Sequence, residues 1–372
     1  IVDRHTIRIN FTEYDALVMY ELAMEPFMVS PTAVEKNGKK WAETHPVGTG
    51  PFKLKKYERD VVVRYERFDD FWQKGRPYLD GMELLVIKNS MTQLSALKSG
   101  EIHGIRMVAR EHAKMLEKEG YILSTWKANC IGIFGDSKNP DSIWANRKVR
   151  EAIEYAIDKE TLMRELGLGY TKALYQGVLP DNPFYNPDLK PRMYDPEKAK
   201  KLLAEAGYPE GFKTTLTHIA PHWPASWVAI QGDLAKVGID LKIIPVDRPK
   251  YLAIRFEGAL KNGSSHIVAP LAYNYLFGVK NFLMSTAKHV PDMARPAGMD
   301  DFIKKALAEI DPEKQKALLM QVSKLLYDDV SFIPLNLEMR LFAFDKDVHD
   351  YVFGTYTMDN SESFTKAWIG KK

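Results

Sequence analysis

Strand-like and helix-like stretches alternate between residues 195 and 271, and this order constrains the fold more than any other feature. Asp195 and Pro196 open the block as a carboxylate N-cap followed by proline at the first helical position. The strand-like runs and the helical patterns between them are, in chain order, 214–218, 226–237, 239–246, 249–259 and 265–271. Such a β-α-β-α-β order predicts a parallel sheet with helices on its faces.

Further elements are predicted on both sides of this block. A second N-cap signature, Asp311 followed by Pro312, predicts another helix start. The other predicted helices are 14–24, 93–98, 197–206 and 313–327, and the other strands are 6–11, 52–57, 61–65, 82–88, 102–107, 332–337 and 340–344.

Length and composition limit the class of protein. A chain of 372 residues is too long for one compact core, so two lobes are expected. The net charge of +3 is spread along the chain without blocks, which indicates no nucleic-acid partner. No apolar run has the length of a membrane-spanning helix, and the single cysteine, Cys130, permits no intrachain disulfide.

Catalytic and metal-binding patterns are missing from the sequence. It contains no G-x-S-x-G elbow, no H-E-x-x-H helix and no paired cysteine motif. Cys130 lies in the apolar run CIGIF and is interpreted as a core residue. The four histidines weighed as metal ligands have no spacing that brings them together: His218, His222, His266 and His289. We therefore expect no enzyme activity, no metal and no cofactor.

A candidate ligand-binding segment follows the predicted strand at 266–271. Its aromatic and amide side chains are Tyr273, Asn274, Tyr275 and Phe277. In open α/β sheets, ligands bind outside the carboxyl ends of the strands, which favours a binding role. The alternative is that these aromatic rings fill the space between two packed layers.

Six motifs, taken together and in order, resemble one known family. They are PVGTGPFKL (46–54), FDDFWQKGRPYLDGMELLVI (68–87), LKSGEI (97–102), NRKVREAIEYAIDKETLM (146–163), YDPEKAKKLLAEAGYP (194–209) and LAKVGIDL (234–241). The chain is similar to the peptide/nickel-type family 5 extracellular solute-binding proteins of ABC importers. The resemblance implies a two-lobed α/β fold of the type II periplasmic-binding-protein kind, with mixed sheets flanked by helices.

The resemblance also implies how the chain is divided. Residues 1–124 with 342–372 would belong to the first lobe, and 125–341 would form the second, with two strands between the lobes as the hinge. Family members usually carry about 130 to 150 further residues before this region, roughly one more domain. We therefore expect a C-terminal fragment of a monomeric periplasmic or extracytoplasmic protein, with a lipoprotein anchor as one alternative.

Ligand contacts are implied residue by residue. Tyr275 stands where oligopeptide-binding relatives carry an aspartate that binds the peptide α-amino group. Because a buried ammonium needs a carboxylate partner, we expect this protein not to bind a free peptide α-amine in that way. Arg255 matches a position near the ligand in those relatives, although a solvated helix face is an alternative. His222 and Trp223 fall where the family places cleft residues, and Trp223 alternatively packs between the lobes.

Three functions follow as hypotheses. The first is capture of a peptide-like or other extended polar solute by hinge closure, followed by delivery to an ABC permease. Oligosaccharide and nickel-chelate ligands are alternatives within the same family. The second is a sensor or chaperone subunit that binds a partner protein, and the third is a hydrolase on a similar scaffold.

Overall fold

The chain falls into two compact units. The computed structural model describes residues 1–24, 28–220, 223–271, 274–351 and 364–370. The larger unit comprises Ile1–Met19 and Lys127–Glu338, and the smaller unit comprises Tyr20–Trp126 and Met339–Lys372. Residues 1–19 join the larger unit through local contacts: Lys280 pairs with Asp15 at 2.9 Å, and the Ala16 N–H donates to the Leu307 carbonyl at 2.8 Å. The lobe boundaries inferred from the resemblance stay a prediction.

Side-chain caps define several helix starts. The Asp195 carboxylate accepts the Lys198 N–H at 2.9 Å, and the Asp311 carboxylate accepts the Glu313 N–H at 2.9 Å, which confirms both predicted N-caps. The helices are α1 Val18–Met24, α2 Pro31–Asn37, α3 Lys39–Ala42, α4 Ser90–Lys98, α5 Arg110–Lys118, α6 Arg147–Ala156, α7 Lys159–Gly167, α8 Pro196–Glu205, α9 Pro224–Ala235, α10 Arg248–Glu257, α11 Tyr275–Gly278, α12 Met299–Ala308 and α13 Pro312–Asp329.

Strands occur in both units, and β5 and β10 have residues in each. The strands are β1 Phe52–Glu58, β2 Val62–Arg67, β3 Gly81–Leu85, β4 Gly104–Arg106, β5 Ile122–Gly135, β6 Lys172–Ala173, β7 Phe212–Ile219, β8 Ile239–Val246, β9 Ser264–Ala269, β10 Ile333–Phe344, β11 Val348–His349 and β12 Trp368–Ile369. A 3-10 turn covers Ile143–Ala145, and a π-helix covers Val279–Leu283 directly after α11.

The larger unit is built on a mixed sheet with the order β10-β5-β9-β7-β8, with β6 beside β10. Strand β7 runs parallel to both β8 and β9, as the alternating block predicted, whereas β9 pairs antiparallel with β5. Helices α9 and α10 form the connections between these parallel strands. The apolar faces of α6 to α9 pack against this sheet and supply about half of the core cluster, including Val149, Ile153, Leu203, Trp227, Ile230 and Leu234.

The smaller unit contains the antiparallel sheet β1-β2-β3. Strand β4 pairs with Phe342–Phe344 at the end of β10, and β11 pairs with β12. Among the described residues, no helix combines the length and the apolar character needed to cross a membrane.

The largest differences from the prediction concern four elements. Residues 6–11 form no strand, and only an isolated bridge joins Asp3 to Thr6. The alternating Ile7, Ile9 and Phe11 are exposed, because alternation makes a strand only where a neighbouring strand supplies hydrogen bonds. The two strands predicted at 332–344 are one continuous strand, β10, and the first helix begins at Val18 rather than at residue 14.

Candidate functional site

The candidate site lies at the edge of the sheet where parallel strands end. Because β7 and β9 are parallel, their carboxyl ends point to the same edge. The chain after β7 leads into α9, and the chain after β9 leads into α11. Trp223 and Asn274 occupy the N-cap positions of these two helices.

Trp223 starts α9 in an unusual backbone conformation. Its φ of 58° and ψ of 41° lie in the left-handed region, and Pro224 follows at the first helical position. The half-buried indole packs against the core of the larger unit. It also lines a cavity of about 10 Å³ with Lys159, Ser226 and Asn336, too small for a solute and at the lower limit for one water.

Asn274 and Phe277 organise the short helix α11. The Asn274 side chain accepts the Phe277 N–H at 3.0 Å, which satisfies one of the free donors at the helix start. Phe277 is buried. Helix α11 continues directly into a π-helix, a geometry often found at functional sites. A contact between these residues and a solute stays a prediction.

Tyr275 points into the larger unit. Its side chain is 1% exposed, and its hydroxyl is hydrogen-bonded to Ser323 Oγ at 2.7 Å. Burial raises the pKa of the hydroxyl. The ring lies 6.0 Å from Phe184 and borders a cavity of about 20 Å³ with Glu154 and Arg192. These contacts support the packing alternative for Tyr275, and its ligand role stays a prediction.

Replacing Tyr275 with phenylalanine measures what this hydroxyl contributes. We expect the free energy of unfolding to fall by about 1 to 2 kcal/mol, because buried Ser323 loses its partner. Urea denaturation of Tyr275→Phe, Ser323→Ala and the double variant gives the coupling energy. Losses that simply add would contradict a direct interaction, and a parallel fall in solute affinity would favour the ligand role.

Arg255 is the half-buried cation of the candidate site. It lies on α10, and its Nη2 donates to the Val268 carbonyl of β9 at 3.2 Å. Its Nε is buried without a hydrogen-bond acceptor, and no carboxylate in the described part of the chain forms an ion pair with it. Burial lowers the pKa of the guanidinium, and the adjacent Tyr251 hydroxyl opposes that shift.

Two predicted site residues, His222 and Tyr273, lie outside the described residues. Two residues that the sequence analysis did not place in the site lie beside Arg255. Phe282 contacts Arg255 directly, and His289 contacts Phe282. The Phe282 ring lies 4.9 Å from the Arg255 guanidinium carbon, and His289 stacks on that ring at 4.2 Å. Phe282 lies beyond the candidate segment, whose last named residue is Phe277, and His289 was weighed in the sequence only as a metal ligand.

An apolar groove of about 540 Å³ lies beside the start of α9. Leu162 and Leu166 of α7 line one wall, and Pro224 and Val228 of α9 line the other. Such a groove accepts aliphatic or aromatic groups and offers almost no hydrogen bonds.

Within the described ranges, no group of three or more histidine, cysteine, aspartate or glutamate side chains is arranged to hold a metal.

Solved structures share this architecture. The periplasmic binding protein DppA from Helicobacter pylori, in complex with peptide STSA, has a TM-score of 0.81 at 26% identity, covering 96% of this chain and 71% of DppA. A dipeptide binding protein from Pseudoalteromonas sp. SM9913, in complex with Met-Leu, has a TM-score of 0.83 at 21% identity, covering 96% and 73%. The fold is therefore that of the two-lobed periplasmic binding proteins.

Sequence comparison defines the family. The profile of the bacterial extracellular solute-binding proteins, family 5 Middle, matches residues 1–285. The glutathione-binding protein GsiB of Escherichia coli K12 is 30% identical over 363 residues, which cover 93% of this chain and 70% of GsiB. The chain belongs to family 5 of the solute-binding proteins of ABC importers, as the sequence motifs predicted. Proteins of this family bind solutes or peptides for delivery to ABC permeases and are not catalysts.

Proposed function

We propose that this protein captures a small peptide-like solute that carries a carboxylate, outside the cytoplasm, and delivers it unchanged to an ABC permease. Capture is proposed to work by closure of two lobes on a hinge, so that the solute stabilises the closed state by its extra affinity for that state. The observation that carries the proposal is Arg255, a half-buried cation with no carboxylate partner among the described residues.

A solute carboxylate would complete the hydrogen bonding of Arg255. A buried or half-buried charge is costly without a counter-charge, and the planar guanidinium suits a carboxylate. The ligands of similar proteins are consistent with this chemistry, because glutathione and the peptides STSA and Met-Leu all carry carboxylates. Tyr275 has no negative charge for a free α-amine, and its buried hydroxyl is hydrogen-bonded to Ser323.

A ligand screen on this chain tests the proposal. We expect reduced glutathione or a short peptide to raise the melting temperature by several degrees, because a ligand of the folded state stabilises it by mass action. Neutral oligosaccharides and a nickel–histidine complex are the comparison set. A shift with an oligosaccharide and none with any carboxylate would contradict the proposal.

Arg255→Met should weaken binding of the active carboxylate by about 10- to 100-fold, because a charge-assisted hydrogen bond is lost. Arg255→Lys should retain part of the affinity, since a lysine supplies charge without the planar fork. Arg248→Met is the matched control, because Arg248 is an exposed residue of the same helix. Equal affinity of the Arg255→Met and Arg248→Met variants by isothermal titration calorimetry would remove Arg255 from the site.

A further inference from the structure

Arg255, Phe282 and His289 form one cluster on the larger unit, which we name the Arg-Phe-His cluster. The aromatic ring of Phe282 contacts the guanidinium, whose carbon lies 4.9 Å from the ring centroid, and the imidazole, whose centroid lies 4.2 Å away with an interplanar angle of 10°. Phe256 packs on His289 at 4.6 Å. The imidazole therefore contacts two aromatic rings, and one of these rings also contacts a cation.

Two polar atoms of this cluster are buried without a hydrogen-bond partner. They are Arg255 Nε and His289 Nδ1. Buried polar atoms in folded proteins are normally satisfied, and an unsatisfied pair at one place indicates that a further group, such as a ligand or water, completes it. The cluster has a cation and no anion among the described residues, so the chemical class that completes it is an anion.

The charged side chains around His289 come from helix α10 and from the loop between the π-helix and α12. Arg255 acts from α10, and Lys288 precedes His289 in the chain. Arg295 donates to the His289 carbonyl at 2.9 Å and to four further carbonyls of this loop, those of residues 282, 283, 290 and 293. Asp292 accepts the Ala259 and Leu260 N–H groups. Burial lowers the pKa of His289 to about 4, and the Arg255 charge contributes to the same shift.

We propose that the Arg-Phe-His cluster links solute capture to proton uptake: an anion bound by Arg255 is accompanied by a proton bound by His289. This inference rests on the proposed function, in which Arg255 receives a carboxylate of the solute. A bound carboxylate neutralises the charge of Arg255, so an imidazolium at His289 is no longer repelled. By linkage the effect is reciprocal, and a protonated His289 strengthens binding of the anion.

The direction of the pH dependence follows. The solute-free protein has His289 neutral at pH 7, and a bound anion raises the pKa of His289 from about 4. The complex therefore holds more protons than the free protein in the interval between the two pKa values. Affinity for an anionic solute rises as the pH falls from 7 through that interval, until the carboxylate of the solute is itself protonated.

A titration without any solute tests the coupling itself. NMR of the histidine Cε1–H signals gives the midpoint of His289, which His289→Gln assigns by the loss of one signal. Arg255→Gln removes the cation, and we expect the midpoint to rise by about half a pH unit or more. Arg255→Lys keeps a cation and shows whether folding is preserved. An unchanged midpoint in a folded Arg255→Gln variant would overturn the inference and leave the proposed carboxylate contact intact.

Calorimetry with reduced glutathione tests the linkage in binding. Between pH 7 and pH 5 we expect the affinity of the unaltered chain to rise by about twofold, which corresponds to a rise of about one unit in the pKa of His289, with net proton uptake detected from the dependence of the binding enthalpy on the buffer. The pH dependence should disappear in His289→Gln and persist in His103→Gln, a change at an exposed histidine of the smaller unit. A fall in affinity at pH 5 contradicts the linkage, whereas absence of glutathione binding at both pH values counts against the proposed solute and leaves the NMR result to decide.

Discussion

Replacing Glu154 with alanine is expected to lower the free energy of unfolding of this protein by about 3 to 5 kcal/mol. Glu154 lies on α6 with 2% of its surface exposed, and its carboxylate forms ion pairs with two cationic side chains. Lys159 Nζ lies 3.0 Å from one carboxylate oxygen, and Arg192 Nη1 lies 3.1 Å from the other. Both cations are themselves buried, with side chains 1% and 5% exposed.

The size of this effect comes from the charges that remain. Lys159 would keep only the Leu174 carbonyl, at 3.3 Å, as a hydrogen-bond acceptor, and Arg192 would keep Glu151 at 3.7 Å and the Tyr327 carbonyl at 2.9 Å. Removing one partner of a buried pair leaves an uncompensated charge, which costs more than the intact pair contributes. Urea denaturation followed by tryptophan fluorescence measures the loss.

The pH dependence of the variant gives an independent check. Burial lowers the pKa of Lys159 below its usual 10.5, and Glu154 opposes that shift. Without Glu154 the folded-state pKa falls further, so the unfolded chain binds the extra proton between that value and about 10.5. Stability of the variant therefore rises with pH over this interval, and its deficit shrinks from pH 7 towards pH 10.

The control is Glu205→Ala on α8. Glu205 has one lysine partner, Lys148 at 3.0 Å, and both side chains are more than 40% exposed. Exposed ion pairs of this kind contribute about 0 to 1 kcal/mol. Equal losses for the Glu154 and Glu205 variants would show that the buried network is not a source of stability.

Local sequence signals predicted much of the fold. The N-caps at Asp195 and Asp311 bond to backbone N–H groups two or three residues away, so capping chemistry suffices to locate them. The β-α-β-α-β order follows from the hydrophobic periodicity of each segment, which is also a local property. The parallel pairing of β7 with β8 and β9 followed from the same order. By contrast, the alternation at residues 6–11 predicted a strand, because alternation reports a preference and not the presence of a partner.

The candidate site was only partly predictable. Arg255 was named from the family resemblance, but its lack of a carboxylate partner depends on how distant segments pack, which spacing does not encode. Tyr275 was expected near the ligand, and its burial depends on Ser323, 48 positions further along the chain. His289 joins the cluster through aromatic stacking on Phe282, an interaction with no sequence signature.

Gly135→Ala is expected to lower the free energy of unfolding by about 3 kcal/mol, although it adds a single methyl group. Gly135 ends β5 where the indole of Trp144 covers the chain. A Cβ at this position would lie 2.1 to 2.4 Å from three ring atoms of Trp144, which is 2% exposed. The indole must move, and it then loses the hydrogen bond from its Nε1 to Thr214 Oγ1, at 3.0 Å.

Gly232→Ala separates this packing effect from the general effect of removing a glycine. Gly232 lies on the exposed side of α9, where an added Cβ has no neighbour within 4 Å, so alanine should stabilise the helix by about 0.5 to 1 kcal/mol. Opposite signs for the two Gly→Ala changes therefore identify contact with Trp144 as the cause. Adding Trp144→Phe to Gly135→Ala should cost less than the sum of the two single changes, because the smaller ring makes room for the methyl group, whereas additive losses would place the strain elsewhere.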